Sequence, residues 1–141
     1  MSRDNDRLTF QTQNPATSTA GTVTTYFSVG TRPIRALNHL MSGINPSDTD
    51  ADTISSTWDY SVTGAGGATW VTIDDEAAFE YNDTTDTNAL GDIGDSTAST
   101  VVVGADLTTR IPAYALIRHR EITAGTITGV QVNCILEYIV L

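Results

Sequence analysis

The chain has 141 residues, 40% hydrophobic and 17% charged, which fits one domain and excludes global disorder. Its formal net charge is −10, all seven basic residues are Arg, and Lys is absent. A surface this acidic repels nucleic acid and anionic lipid, and the lack of Lys excludes Schiff-base and P-loop chemistry.

Residues 1–20 read as an N-terminal arm and edge strand, with Leu8 and Phe10 alternating inside a polar stretch, and residues 21–141 as a single β domain. GTVTTYFSVG (21–30) is bounded by glycine and rich in β-branched and aromatic residues, so it predicts a strand with Val23, Thr25 and Phe27 on one face. TRPIRALNHLMSGI (31–44) is the one candidate helix. Thr31 suits a cap, Pro33 the first turn and Gly43 the stop, while Ile34, Leu37, Leu40 and Met41 fall on one helical face. A bent strand is the alternative there.

Residues 45–52 form an acidic loop. Next comes a predicted hairpin over 53–73, with Trp58, Tyr60 and Val62 alternating, Gly64-Ala-Gly-Gly67 at the turn and Ala68–Ile73 returning. The stretch ending in FEYN adds strand signals at Phe79 and Tyr81. Residues 82–99 are rich in turn formers and predict a long surface loop. STVVVG, Ala113–Thr123 and Thr126–Leu141 are predicted strands. In the second, Ala113, Ala115, Ile117 and His119 oppose Tyr114, Leu116, Arg118 and Arg120. In the last, Val130, Val132, Cys134, Leu136, Tyr138 and Val140 share a face. The end of the chain is apolar on both faces, which calls for a cover from this chain or from another subunit. Short strands separated by turn signals give an all-β chain: a β-sandwich or jelly-roll-like fold with at most one short helix near residues 33–42.

Reactive groups are sparse. His39 and His119 lie in different segments, His39 reading as a surface or boundary residue and His119 as a packed strand residue, and nothing in the sequence pairs either with a nucleophile. No catalytic residue is assigned. Cys134, the single cysteine, sits in an apolar run and reads as a small buried hydrophobe. No cofactor is expected. The one candidate ligand is a structural cation at Asp48, Asp50 and Asp52, whose alternating carboxylates suit a hard ion such as Ca²⁺. Asp59 stands twelfth from Asp48, but Thr53 occupies the sixth position, where an EF-hand loop needs Gly. Trp58, Tyr60 and Trp70 read first as hairpin core and second as a sugar platform. Arg118 and Arg120 read as a positive stripe for docking an acidic neighbour.

The arm MSRDNDR, the hairpin TWDYSVTGAGGATWVTI and the closing strand TGVQVNCILEYIVL together resemble a capsid decoration (cement) protein of a tailed virus, of a kind infecting haloarchaea. Strong brine accounts for the charge: at about 1 M salt the Debye length is ~3 Å, and self-repulsion is screened. The resemblance implies a non-enzymatic β-protein on the outer surface of an icosahedral capsid, a homo-oligomer (a trimer at local three-fold axes) that braces capsid or other virion subunits. Arg3, Arg7, Leu8, Phe10, Arg118, Arg120, Tyr138 and Leu141 are the candidate partner contacts. The start of the chain shows no apolar signal region and no stretch is long and apolar enough for a membrane span, so synthesis in the host cytoplasm is expected. Two other readings of the same residues are a tail, baseplate or turret component, and a carbohydrate-binding or adhesion module using Trp58 and Trp70.

Overall fold

A computed structural model describes residues 7–13, 17–18, 21–44, 52–63, 69–81, 99–124, 127–128 and 131–141. The strands are β1 (Arg7–Gln13), β2 (Thr17–Ser18), β3 (Gly21–Ser28), β4 (Ile34–Ile44), β5 (Asp52–Ser61), β6 (Val71–Tyr81), β7 (Ser99–Gly104), β8 (Arg110–Ile111), β9 (Leu116–Ala124), β10 (Ile127–Thr128) and β11 (Gln131–Val140). No helix occurs among the described residues.

Two antiparallel sheets pack face to face as a β-sandwich. Sheet A runs β1-β11-β4-β7, with β8 also paired to β4, and sheet C runs β3-β9-β5-β6. A two-stranded pair, β10-β2, makes sheet B. Numbering only the eight strands of six or more residues, the orders are 1-8-3-6 and 2-7-4-5. These two orders are those of the double Greek key of a jelly roll.

Alternation along each strand sets the core. Ile34, Ala36, Met41, Cys134 and Leu136 from sheet A meet Trp58, Ile73 and Ile117 from sheet C, all buried. Phe10 of β1 lies 5.1 Å from Phe27 of β3 and stacks on Tyr138 at 4.5 Å, which closes one side of the sandwich. Cys134 is fully buried, as its apolar run predicts, and burial pushes its thiol pKa up to about 12, so it stays an inert thiol.

The predicted helix over 31–44 is instead the central strand β4. Its partner β11 pairs Glu137 with Asn38 and Tyr138 with Ala36, which leaves Leu37 as the extra residue of a β-bulge. Ile34 and Ala36 point inward before the bulge, and His39 and Met41 after it. Leu37, the extra residue, and Leu40, on the outer face, supply the apolar positions that imitate a helix.

The hairpin expected over 53–73 is present and longer, since β5 and β6 pair from Tyr60↔Val71 to Asp52↔Tyr81. Its glycine turn, residues 64–68, lies outside the described residues, and of the loop predicted over 82–99 only Ser99 is described, where it opens β7.

Candidate functional site

The largest gathering of reactive groups crosses the core between the sheets. Its members come from strands far apart in sequence: His39 on β4, Ser56 on β5, Asp74 on β6, His119 on β9 and Thr12 on β1. His39 Nδ1 lies 2.8 Å from Asp74 Oδ2, and His39 Nε2 lies 2.8 Å from Ser56 Oγ. Ser56 Oγ is also 2.7 Å from His119 Nε2, whose Nδ1 is 3.5 Å from Thr12 Oγ1.

These contacts form a continuous chain of donors and acceptors. A carboxylate only accepts, so His39 carries its proton on Nδ1 and donates to Asp74. In one such arrangement Ser56 donates to His39 Nε2 and accepts from His119 Nε2, and Thr12 donates to His119 Nδ1, so that every link has one donor. Burial, and then the neighbouring His39, push the His119 pKa down to about 3.

Ser56, His39 and Asp74 thus have the spacing of a nucleophile, base and orienting acid, a grouping that the sequence did not suggest. His39, read as a surface or boundary residue, is 0% exposed, and so is Ser56. Ser56 Oγ is clasped between two imidazoles, and neither the cleft at Phe10, Val29 and Tyr138 nor the one at Arg7, Arg35 and Leu107 is lined by Ser56, His39 or His119. The cluster is a buried polar bolt between sheets A and C. Gly104 on β7 leaves room for it, because a Cβ there would collide with the Asp74 carboxylate. Gly104→Ala is expected to displace Asp74 from His39 and to cost about 1–3 kcal/mol, measured by urea denaturation.

Beside the bolt, Glu121 is buried and its pKa is pushed up to about 7 by burial, against a weaker opposing bond from the Cys134 thiol at 3.9 Å. Its Oε1 and the Trp58 indole N–H have no hydrogen-bond partner among the described residues.

Arg118 and Arg120 lie on the outer face of sheet C and do not form a free positive stripe. Asp59, 1% exposed between them, accepts from Arg118 Nη2 at 2.7 Å, Arg118 Nε at 3.0 Å and Arg120 Nε at 3.1 Å. Its other oxygen accepts from Thr72 at 3.3 Å. This removes Asp59 from any cation site shared with Asp48. Asp48 and Asp50 lie outside the described residues, and Asp52 opens β5 opposite Tyr81. Among the described residues, no group of three or more His, Cys, Asp or Glu could hold a metal.

The aromatic residues divide. Trp58 is fully buried and Tyr60 packs on the core, so neither is a sugar platform. Trp70 lies on the outer face, with the Arg118 guanidinium 4.0 Å over its ring and half-exposed Tyr26 at 6.3 Å.

Of the remaining candidate contacts, Arg3 lies outside the described residues. Leu8 and Phe10 pair with Tyr138 and Leu136 of their own sheet, and β1 has no partner on its other side among the described residues. Tyr138 stacks inside the sandwich. Leu141 donates its N–H to Pro33 O at 2.9 Å and accepts from Arg32 Nε at 2.8 Å.

No protein-family model matches the chain, and no curated protein matches it. Several solved structures are similar in fold. One chain of infectious bursal disease virus, Gx strain, aligns over 96% of this chain and 41% of its own, with 7% identity and a TM-score of 0.45. This protein therefore spans about two fifths of that viral chain. A protein of Sulfurospirillum deleyianum aligns over 95% of this chain and 98% of its own, with 10% identity and a TM-score of 0.43. Desmodium yellow mottle tymovirus aligns over 95% of this chain and 86% of its own, with 11% identity and a TM-score of 0.29.

Proposed function

We propose that this chain is a non-enzymatic structural protein of a virion, decorating and stabilising the outside of an icosahedral capsid in strong brine. The observation that carries the reading is the outer face of sheet A. Ile135, Leu40 and Val102 stand side by side there across three strands, with Ile139 two pleats away. Val102 is 48% exposed and the other three are half-buried, in a chain with a net charge of −10. An apolar row on an otherwise polar sheet is what a subunit keeps for its neighbours. The jelly-roll strand order supports this, being an architecture that capsid proteins share with lectin domains and cupins. The sealed serine–histidine cluster supports a role without catalysis.

In this reading the protein works by linkage: a subunit that binds only the assembled shell stabilises the shell by mass action. The absence of Lys and the excess of Asp suit a haloarchaeal tailed virus. The test is the mass of the full chain by light scattering, in dilute buffer and in multimolar NaCl. A compact oligomer, expected in brine, supports the reading. A monomer at both salts overturns it and favours a solitary binding module using Tyr26 and Trp70.

A further inference from the structure

The sequence points to Arg118 and Arg120 as the positive stripe, but the fold builds one elsewhere. Arg7 of β1, Ile139 of β11, Arg35 of β4 and Arg110 of β8 are successive partners across the outer face of sheet A. Three of the seven basic residues thus share one row in a chain with seventeen acidic ones. Their bonding differs. Arg7 reaches Glu137 Oε1 at 3.2 Å, and Asn38 holds the same oxygen at 2.7 Å. Arg35 and Arg110 are both exposed and stand directly opposite each other, with no hydrogen bond or ion pair among the described residues. Like charges directly opposite on a sheet are destabilising unless something neutralises them. Arg35 also lines a cleft of about 260 Å³ with Arg7, Leu37, Asn38, Leu107 and Thr108, and the exposed Asp106 carboxylate at its rim is the one other charge there.

We propose that Arg35 and Arg110 are the docking pair for an acidic segment of a second copy of this chain, on the same face as the Ile135–Leu40–Val102 row. The inference rests on the reading as a virion subunit and names the contact face and its partner. Charge complementarity selects the occupant. The rest of the chain is acidic, so any neighbouring copy offers carboxylates, and a guanidinium pair receives them with short, charge-assisted bonds. An apolar centre beside an arginine rim matches the make-up of protein interfaces. A basic pair that meets acid on the next copy suits a two-fold dimer, where the contact is made twice, and equally a head-to-tail contact that closes into a ring such as a trimer.

The experiment is sedimentation of the full chain over a concentration series, at one fixed salt where the wild type associates. Arg35→Gln with Arg110→Gln is expected to weaken association at least about tenfold, and Arg35→Lys with Arg110→Lys to weaken it much less. Thr22→Glu with Val62→Glu lowers the net charge by the same two units on exposed positions away from sheet A. Association of that control close to wild type supports the pair, whereas equal weakening shows general repulsion and overturns it. A glutamine variant that associates like the wild type overturns the docking pair while leaving the subunit reading intact. A wild type that stays monomeric at every salt and concentration overturns both.

Discussion

Acidification from pH 4.5 to pH 3 is expected to destabilise the fold through a single buried imidazole. The unfolded chain protonates His119 near its ordinary value of 6.5, while the folded protein resists until about 3. Between those values the unfolded state binds more protons, so the contribution of His119, complete above 6.5, shrinks as the pH falls and is gone near 3. The whole shift corresponds to about 5 kcal/mol. Glu121 acts with the opposite sign. Its folded pKa stands near 7 against an ordinary 4.5, so the folded state holds the extra proton. That contribution is complete below 4.5 and is lost as the pH rises through 7, amounting to about 3 kcal/mol. The two slopes oppose each other between 4.5 and 6.5, giving a plateau there and a steep acid limb below it. Urea denaturation at pH 3, 4, 5.5 and 8 checks this. Glu121→Gln should stabilise the protein at pH 8 and leave it unchanged at pH 4. A Glu121→Gln difference that is the same at every pH would show that the carboxyl is not held protonated.

Asp59→Asn should be the most damaging single change on the outer face of sheet C. Asp59 is almost fully buried and takes three charge-assisted bonds from two guanidinium groups. Removing its charge leaves Arg118 and Arg120, whose side chains are 17% and 34% exposed, facing each other without an anion. Loss of one partner from a buried ion pair costs about 3–5 kcal/mol, and the partial exposure of the two arginines places the expected loss near the lower figure. Arg118 would also leave the Trp70 ring, so the tryptophan fluorescence of the folded variant should change. A loss under about 1 kcal/mol would mean that solvent already screens the pair.

These contacts explain which parts of the molecule were legible in the sequence. The hairpin was readable because Trp58 and Tyr60 alternate on one side of a glycine cluster, a local signal. The face of β9 was readable too, since alternation put His119 with Ile117 and against the two arginines. β4 reads as a helix because Leu37 in its bulge and Leu40 on its outer face line up with Ile34 and Met41 at helical spacing, while the inward set is Ile34, Ala36, His39 and Met41. The bolt was not legible. His39, Ser56, Asp74 and His119 meet only because β4 faces β5 and β9 across the sandwich, and strand order leaves no local mark. Arg35 and Arg110, 75 residues apart in the chain, are brought opposite each other within one sheet by the pairing of β4 with β8.

The position of β11 also governs how the protein must fold. It lies between β1 and β4, so Arg7 must find Ile139 and Ile34 must find Val140 before sheet A exists. Closing such long loops comes before any reward, which places jelly rolls among the slow folders, on a scale of about milliseconds to seconds. Until that last strand inserts, β1 and β4 present unpaired edges to every other copy nearby. In dilute buffer the net charge of −10 holds those half-made molecules apart, whereas in strong brine the repulsion is screened and the open edges are free to find one another.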